Sequence, residues 1–312
     1  MLLCRAAFPK KNKNERKCNE SSFCQFPHLL GQGTVCPIFI AVCLAGCINM
    51  LVNGSARAID VDAGDSTPMP AGTDLGLIYY QHVERREFYK DGHKQPSNAR
   101  LDSDIGILRA VHFMKLGSFT IDPQVLLPFG QSKGKRASSI LGEANGIGDL
   151  ILTSTIWLVE QPQHRTYLGI TPFLYVPTGN YDRNDPLNMG ENRWKTALMA
   201  GFIQGLGEKW WFDLYTNVTW FGKNDDSTSA GKTLRQSDLY QTQAFFRYNF
   251  TPSFDLRVGY SESWGGETRL EGVSQRDRTE TSKYTVGAAW FPNPKTQLIV
   301  SYGQDLSVET AL

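Results

Sequence analysis

Residues 210–221 read WWFDLYTNVTWF, and this stretch decides the fold of the chain. Apolar and aromatic side chains alternate with polar ones, which predicts a β-strand with one apolar face and one polar face. An aromatic pair stands at each end, Trp210/Trp211 and Trp220/Phe221. A tilted strand of this length spans roughly 25 Å, which is the height of the apolar band of an outer-membrane barrel between two aromatic girdles.

The same alternation recurs on both sides of this strand. Residues 240–250 and 254–261 place apolar side chains on one face and amides or charges on the other, and similar strands begin near Leu75, Phe119 and Leu150. A charge in hydrocarbon is expensive, so we expect the polar face to line a wet interior. The candidate lumen and permeation residues are Asp122, Gln124, Asp149, Asp213, Asn217, Gln243, Arg247, Asp255 and Arg257.

Two of the resulting expectations concern particular side chains. Asp213 and Arg247 lie on neighbouring predicted strands and are expected to form an ion pair. Such a pair belongs either to a salt-bridge network that closes a narrow barrel or to a constriction on a permeation path. The alternating apolar residues of the first strand, Leu75, Leu77 and Tyr79, are expected to face lipid like those of the other strands.

The connections between strands alternate strictly in length. Short turns occur at 116–118, 161–165, 206–209, 251–253 and 292–295, and long polar segments at 90–100, 130–146, 178–193, 222–237 and 262–281. Short turns at one end and long loops at the other are typical of an outer-membrane barrel. The sequence therefore predicts an all-β protein, an antiparallel transmembrane β-barrel of about 12 strands.

About eleven of those strands are visible, and the downward closing strand is expected to be missing. Bacterial single-chain barrels have even strand numbers, which leaves no open edge. Residues 303–312 then begin a sixth outer loop, and the chain is expected to be truncated or frameshifted at its C-terminus. A ten-strand barrel with an extra segment is the alternative.

The N-terminal region predicts export. All cysteines lie before residue 48, and the apolar run 35–52 is followed by Ala56-Arg57-Ala58, a signal-peptidase pattern. We expect an atypical extension at 1–34, a signal-peptide core and cleavage site at 35–58, a periplasmic segment at 59–72 and the outer-membrane barrel at 73–312. The run 44–47 also matches a lipoprotein box that would lipidate Cys47.

Charge and composition narrow the partners. From Ile59 onward the chain has 25 basic and 29 acidic residues, a net charge of −4. This balance gives no reason to expect nucleic acid as a partner. The expected partners are outer-membrane lipid and small hydrophobic or aromatic solutes, and the oligomeric state stays open.

No catalytic or cofactor pattern stands out. The histidines after the leader, His82, His93, His112 and His164, have no cysteine or carboxylate at metal-ligand spacing. The chain also lacks the nucleophile-elbow and phosphate-loop motifs. We therefore expect no enzyme, no metal site and no cofactor.

Several short motifs resemble those of a known family. They are IDVDAGD at 59–65, PAGTDL at 70–75, GIGDL at 146–150 and PTGNY at 177–181. With them the chain resembles the outer-membrane family named for the meta-pathway of phenol degradation. The resemblance implies a barrel that carries small aromatic or hydrophobic compounds across the outer membrane, linked to aromatic catabolism.

Three functional hypotheses follow. The first is a passive outer-membrane channel in the bacterial cell envelope, with diffusion past polar lumen residues. The second is a structural or partner-binding barrel whose lumen is plugged. The third is a membrane-embedded hydrolase, which would need a Ser/His/carboxylate set that the strand pattern does not provide.

Overall fold

The computed structural model describes residues 2–8, 59–90, 92–95 and 98–309. The predicted signal-peptide core at 35–58, with the lipoprotein box, lies outside the described residues, as do all cysteines other than Cys4. Within the described part of the chain, no helix is long and apolar enough to cross a membrane.

Eleven long strands form one antiparallel sheet, in which each strand pairs with its neighbours in sequence. This confirms the predicted all-β antiparallel architecture. The strands are Asp74–Arg85 (β2), Ala99–His112 (β3), Phe119–Arg136 (β4), Leu150–Gln161 (β5), Thr166–Val176 (β6), Lys195–Leu206 (β7), Trp210–Phe221 (β8), Leu239–Thr251 (β9), Phe254–Gly265 (β10), Thr279–Asn293 (β11) and Thr296–Val308 (β12).

A short strand from the start of the chain lies between the first and the last long strand of the sheet. Leu2–Phe8 (β1) pairs antiparallel with β12 on one side and with β2 on the other. From the sequence pattern this stretch is expected to belong to the extension at 1–34, and no strand is expected to close the barrel. Without β1, the facing edges of β2 and β12 would present free N–H and C=O groups. An extended backbone can bind to such edges. With β1 in place, the pairings form a ring of twelve strands.

The two ends of the ring differ, as the loop lengths predict. Connections of two to six residues lie at one end, the short-turn end, for example 207–209 and 252–253. The other connections, 86–98, 137–149, 177–194, 222–238 and 266–278, lie at the opposite, long-loop end. The small elements within the connections are Tyr89–Lys90, His93–Lys94, Met114–Leu116, Glu143–Ile147, Leu234–Gln236, Thr268–Leu270, Val273–Ser274 and the 3-10 helices Ala137–Leu141 and Pro162–His164.

Alternating side chains divide β8 into an outer and an inner face. Trp210 and Trp220 are exposed on the outside, whereas Asp213 and Tyr215 are fully buried inside the ring. Successive residues of a strand point to opposite faces, so only one member of each aromatic pair can face outward. Trp211, which the sequence analysis placed in an aromatic girdle, is accordingly buried inside.

Candidate functional site

The interior of the ring is the candidate site, because the predicted lumen residues meet there. All nine of them are buried or nearly so, and the most accessible, Arg247, has a side chain that is 11% exposed. Their role in permeation stays a prediction. The buried ones are Asp122, Gln124, Asp149, Asp213, Asn217, Gln243, Asp255 and Arg257.

Asp213 and Arg247 form the predicted ion pair, which is confirmed. Arg247 Nε donates to Asp213 Oδ2 and Nη2 donates to Oδ1, each at 2.8 Å. Trp211 lies opposite Arg247 in the β8–β9 register, and its ring stacks 5.0 Å from the guanidinium carbon. A two-point contact in a water-poor site holds the guanidinium in one orientation.

A second ion pair stands beside the first. Arg257 and Asp255 share the inner face of β10, and Arg257 Nη2 donates to both carboxylate oxygens at 2.7 and 2.8 Å. Arg247 and Arg257 are directly opposite each other in the β9–β10 register. Like charges at such positions repel, and the two aspartates compensate them.

The N-terminal segment Ile59–Ser66 lies inside the ring and contacts these pairs. Gly64 N donates to Asp213 Oδ2 at 2.7 Å, and Arg257 Nη1 donates to the carbonyl of Ala63 at 2.9 Å. Gln243 Nε2 donates to the carbonyl of Ile59 at 2.7 Å. Residues 59–66 of the predicted segment 59–72 therefore lie inside the ring, and the assignment of the segment to the periplasm stays a prediction. Ile59, Val61 and Ala63 alternate with aspartates, and this local pattern does not distinguish a segment inside the ring from one outside it.

The opposite wall of the ring holds the same segment. Arg109 Nη1 lies 3.1 Å from both carboxylate oxygens of Asp65, and its Nε donates to Gln124 Oε1 at 2.8 Å. Gln124 in turn donates to Asp122 Oδ2 at 2.8 Å. Arg109 therefore links the two predicted lumen residues to the segment. Trp157 Nε1 donates to the carbonyl of Ser66 at 2.9 Å.

Three wall residues that contact the segment, Arg109, Trp157 and Tyr215, escaped the sequence analysis. Tyr215 OH accepts from Ser66 N at 3.5 Å. Tyr215 was placed on the polar face, but a tyrosine there has no distinctive pattern. The signal that could have found Arg109 is its place on β3, where a charged residue faces inward between apolar neighbours.

Farther toward the long-loop end, amide and charged side chains of the wall contact Asp60 near the start of the segment. Gln241 Nε2 donates to Asp60 Oδ1 at 3.0 Å, and Lys283 Nζ binds the other oxygen of Asp60. Asn217 lies opposite Gln241 and donates to its Oε1 at 3.1 Å. The predicted lumen residue Asn217 thus reaches the segment through Gln241.

Asp149 differs from the other predicted residues. It precedes β5 and lies at the long-loop end, where its carboxylate accepts Gly179 N and Glu191 N, each at 3.0 Å. Burial raises the pKa of Asp149. The residue therefore fixes the loop 177–194 and does not line the middle of the lumen.

The loop 177–194 folds into the ring at this end. Its side chains Leu187 and Met189 are each 2% exposed and pack against Leu101 and Ile105 of β3. This loop narrows the interior at the long-loop end, in addition to the segment that lies deeper inside the ring.

The short-turn end of the interior is apolar. Leu75, Leu77 and Tyr79 are buried there, which corrects the expectation that they face lipid. The alternation rule gives the period of a strand but not the direction of its apolar face when the inside also has an apolar core. Other members of this apolar cluster are Val111, Phe113, Trp157, Tyr167, Ile203, Trp211, Ala289 and Ile299, and Met69, which follows the segment, packs against them.

The described interior offers hydrogen-bond donors, acceptors and charged groups. Among the described residues, no group of three or more histidine, cysteine or acidic side chains could hold a metal ion. The arrangement is suited to holding a peptide segment and solvating small molecules.

Comparisons with known proteins agree with this geometry. A family model described as "Putative MetA-pathway of phenol degradation" matches residues 85–311. The crystal structure of an outer membrane channel from Pseudomonas putida F1 is similar at a TM-score of 0.77 and 41% identity, covering 80% of this chain and 94% of that one. No functionally curated protein matches the chain in sequence.

Proposed function

This chain belongs to that phenol-degradation family, and from this premise we propose that it is a gated outer-membrane channel for small aromatic or hydrophobic compounds. The observation that carries the proposal is a twelve-strand ring whose interior holds a segment through exchangeable hydrogen bonds. The kinship with an outer membrane channel supports the location.

The outer surface of the ring supports the proposal that the barrel lies in a lipid membrane. Large apolar side chains are exposed along the outside of the strands, and aromatic rings are exposed near both ends of β8. A soluble protein rarely exposes so continuous an apolar surface, whereas a membrane barrel requires it. The outer-membrane location and the cleavable export signal are parts of this proposal.

Passage of a solute would require the segment to shift. Its contacts are mostly hydrogen bonds between barrel side chains and segment main chain, each worth about 0.5–1.5 kcal/mol net, or about 1.5–3 where a charged group takes part. Water can take the place of each such contact as it breaks, and the ion pairs of Asp60 and Asp65 with the wall must break as well. In this mechanism the ion pairs Asp213–Arg247 and Asp255–Arg257 remain as the wall of the opened path.

Unpaired polar atoms support a wet path beside the segment. Four inward-facing oxygens have no hydrogen-bond partner among the described residues, and buried polar atoms of this kind are usually hydrated. Water along the wall would let a solute pass by diffusion, with no covalent step. These four atoms are Gln81 Oε1, Asn217 Oδ1, Thr219 Oγ1 and Gln297 Oε1, and Asp305 Oδ1 is a fifth near the long-loop end.

The occupied interior also favours a second candidate, a structural or partner-binding barrel with a permanent plug. The two candidates differ in one property. A channel must pass solutes when the segment is free to move, whereas a plugged barrel passes none in either state.

A disulfide lock separates the candidates. A Cβ at position 201 would lie 2.6 Å from Ser66 Oγ and 3.0 Å from the ring of Tyr215, so we expect the double variant S66C/G201C to form a disulfide after a small shift of that ring. We expect liposomes with the reduced variant to swell in benzoate at pH 8, and swelling to stop on oxidation. Swelling in arabinose measures whether the path prefers aromatic solutes.

The controls are the two single-cysteine variants, which should swell equally with and without oxidant. A verified cross-link that leaves benzoate entry unchanged would show that the segment is not the gate. Absence of swelling in every solute and redox state would favour the permanent plug.

A further inference from the structure

The outer loop 177–194 reaches across the long-loop end of the ring. It connects β6 to β7, yet its buried side chains Leu187 and Met189 pack against inner-facing residues of β3, with β4 and β5 in between. The loop therefore covers this part of the interior. We propose that it is an outer lid and that Asp149 is the positioning residue that holds it shut. The lid adds a second barrier to the segment, and its effect on solute entry rests on the channel function proposed above.

Asp149 ties both ends of the lid to the wall with one carboxylate. The residue is 7% exposed, and its two oxygens accept the backbone N–H groups of Gly179 and Glu191, each at 3.0 Å. Hydrogen bonds to a charged acceptor are stronger than neutral ones, and an amide of the same size offers only one acceptor oxygen. The carboxylate therefore fixes the neck of the lid, residues 179–180 and 190–191, beside the start of β5.

Glycines allow the two sides of the neck to touch. A Cβ on Gly179 would lie 2.7 Å from the Cα of Gly190 and 2.7 Å from the carbonyl carbon of Gly148, so a larger residue requires a shift of the main chain. The carbonyl of Asn180 accepts from Gly190 N at 2.9 Å, and Asn180 N donates to the carbonyl of Ile147 at 2.9 Å. Two of the short sequence motifs, GIGDL and PTGNY, thus meet at this neck.

Beyond the neck, polar contacts join the lid to the neighbouring loop 222–238. Tyr181 OH donates to the carbonyl of Asp226 at 2.9 Å and accepts from Asn224 Nδ2 at 3.0 Å. Arg183 Nη1 donates to Asp226 Oδ1 at 2.8 Å, with side chains 48% and 46% exposed. An ion pair at this exposure contributes little, and water takes the place of the neutral hydrogen bonds as they break. The bonds to Asp149 are therefore the main polar attachment of the lid to the wall.

Release of the neck would uncover the interior from the outside. Once the bonds to Asp149 break, the neck can separate from the start of β5, and Leu187 and Met189 can leave the inner face of β3. A solute would then reach the segment Ile59–Ser66 from the long-loop end. The lid and the segment are two barriers in series, so loss of the lid speeds entry only to the extent that the lid limits it.

Cysteine labelling measures the opening of the lid without any flux. The reporter is S103C in the full-length protein, because Ser103 is 2% exposed on the inner face of β3, between Leu101 and Ile105, against which the lid packs. Mass spectrometry of its peptide follows the reaction with a membrane-impermeant maleimide. We expect labelling to be about tenfold or more faster with D149N, which removes one acceptor oxygen, and with G179A, which forces the neck apart.

Matched controls separate the lid from general loosening. D185N changes an exposed aspartate of the same lid, and G76A adds a Cβ that meets no atom within 4 Å, so both should label like the S103C parent. S229C, exposed on loop 222–238, should react at one rate in every background. All variants should retain the heat-modifiable gel shift of a folded barrel. Equal labelling of S103C in the parent and in folded D149N or G179A, or immediate labelling in the parent, would overturn the proposal.

The liposome assay then tests whether the lid limits entry. D149N should admit benzoate faster than D185N does. Faster labelling of S103C with unchanged swelling would show that the loop opens without limiting solutes, which would also overturn its role as a lid. Absence of swelling in every variant would remove the channel function, whereas the labelling result on the movement of the loop would stand.

Discussion

The middle of the ring and its short-turn end fill the same interior in opposite ways. In the middle, Asp213, Arg257 and Gln243 hold the N-terminal segment through hydrogen bonds to its main chain. At the short-turn end, Phe113 and Trp157 stack with ring centroids 5.7 Å apart within an apolar cluster that also receives Met69.

The difference indicates where the segment can move. Each hydrogen bond of the middle can be replaced by one to water when it breaks, whereas the apolar contacts of the short-turn end have no such replacement. Met69 and the residues after it are therefore anchored, with Gly72 N and Thr73 O paired to Phe113. We infer that the part before Met69 can swing while the base stays fixed.

The largest expected effect comes from breaking the apolar end. Phe113 is 1% exposed, and F113A should lower the free energy of unfolding by about 3–5 kcal/mol, since a large ring is removed from a packed interior. Urea unfolding in lipid vesicles measures the loss. The matched control is F119A, because Phe119 is 43% exposed on the outside. Equal losses for both variants would contradict an apolar core inside the ring.

An intermediate effect is expected for the polar middle. D213N should cost about 2–3 kcal/mol of unfolding free energy, because Arg247 and Gly64 N lose a charged acceptor. R247M should cost a similar amount, and the double variant less than the sum of both, with a coupling of about 0.5–3 kcal/mol. Strict additivity in urea unfolding would show that the ion pair is not an energetic unit.

The smallest effect should appear in the segment alone. Gly64 has φ +86°, and a Cβ there would lie 3.0 Å from Arg247 Nη1. G64A should weaken docking of the segment by about 1–2 kcal/mol and leave the barrel intact. Hydrogen exchange of the amides at 64–67 should then speed up, while that of the strands is unchanged. G231A, at another positive-φ glycine in an outer loop, should have no such effect on these amides.

Much of the ring could be predicted from the sequence. Period-two alternation and the rhythm of short and long connections located the eleven long strands, because both are local properties of the chain. The ion pair Asp213–Arg247 could also be predicted from the sequence, since neighbouring strands of a meander bring inward-facing charges together.

What the sequence did not reveal depends on the interior as a whole. Leu75 and Tyr79 alternate like lipid-facing residues, yet they pack inside, because a pattern of period two does not tell the two faces of a strand apart. The position of Ile59–Ser66 depends on contacts with residues far away in sequence, from 44 positions for Asp65 with Arg109 to 149 for Gly64 with Asp213. Nothing in the local composition encodes such a partner.

Main-chain recognition of the segment has a consequence for sequence variation among relatives. Barrel side chains bind Gly64 N and the carbonyls of Ile59, Ala63 and Ser66, groups that every residue carries. Substitutions should therefore be tolerated where the side chain makes no contact of its own, whereas Asp60, Gly64, Asp65 and the buried Ile59 and Ala63 should vary less. The barrel side chains that bind the segment determine how it docks. We therefore expect homologues to retain these side chains while the sequence of the segment varies more.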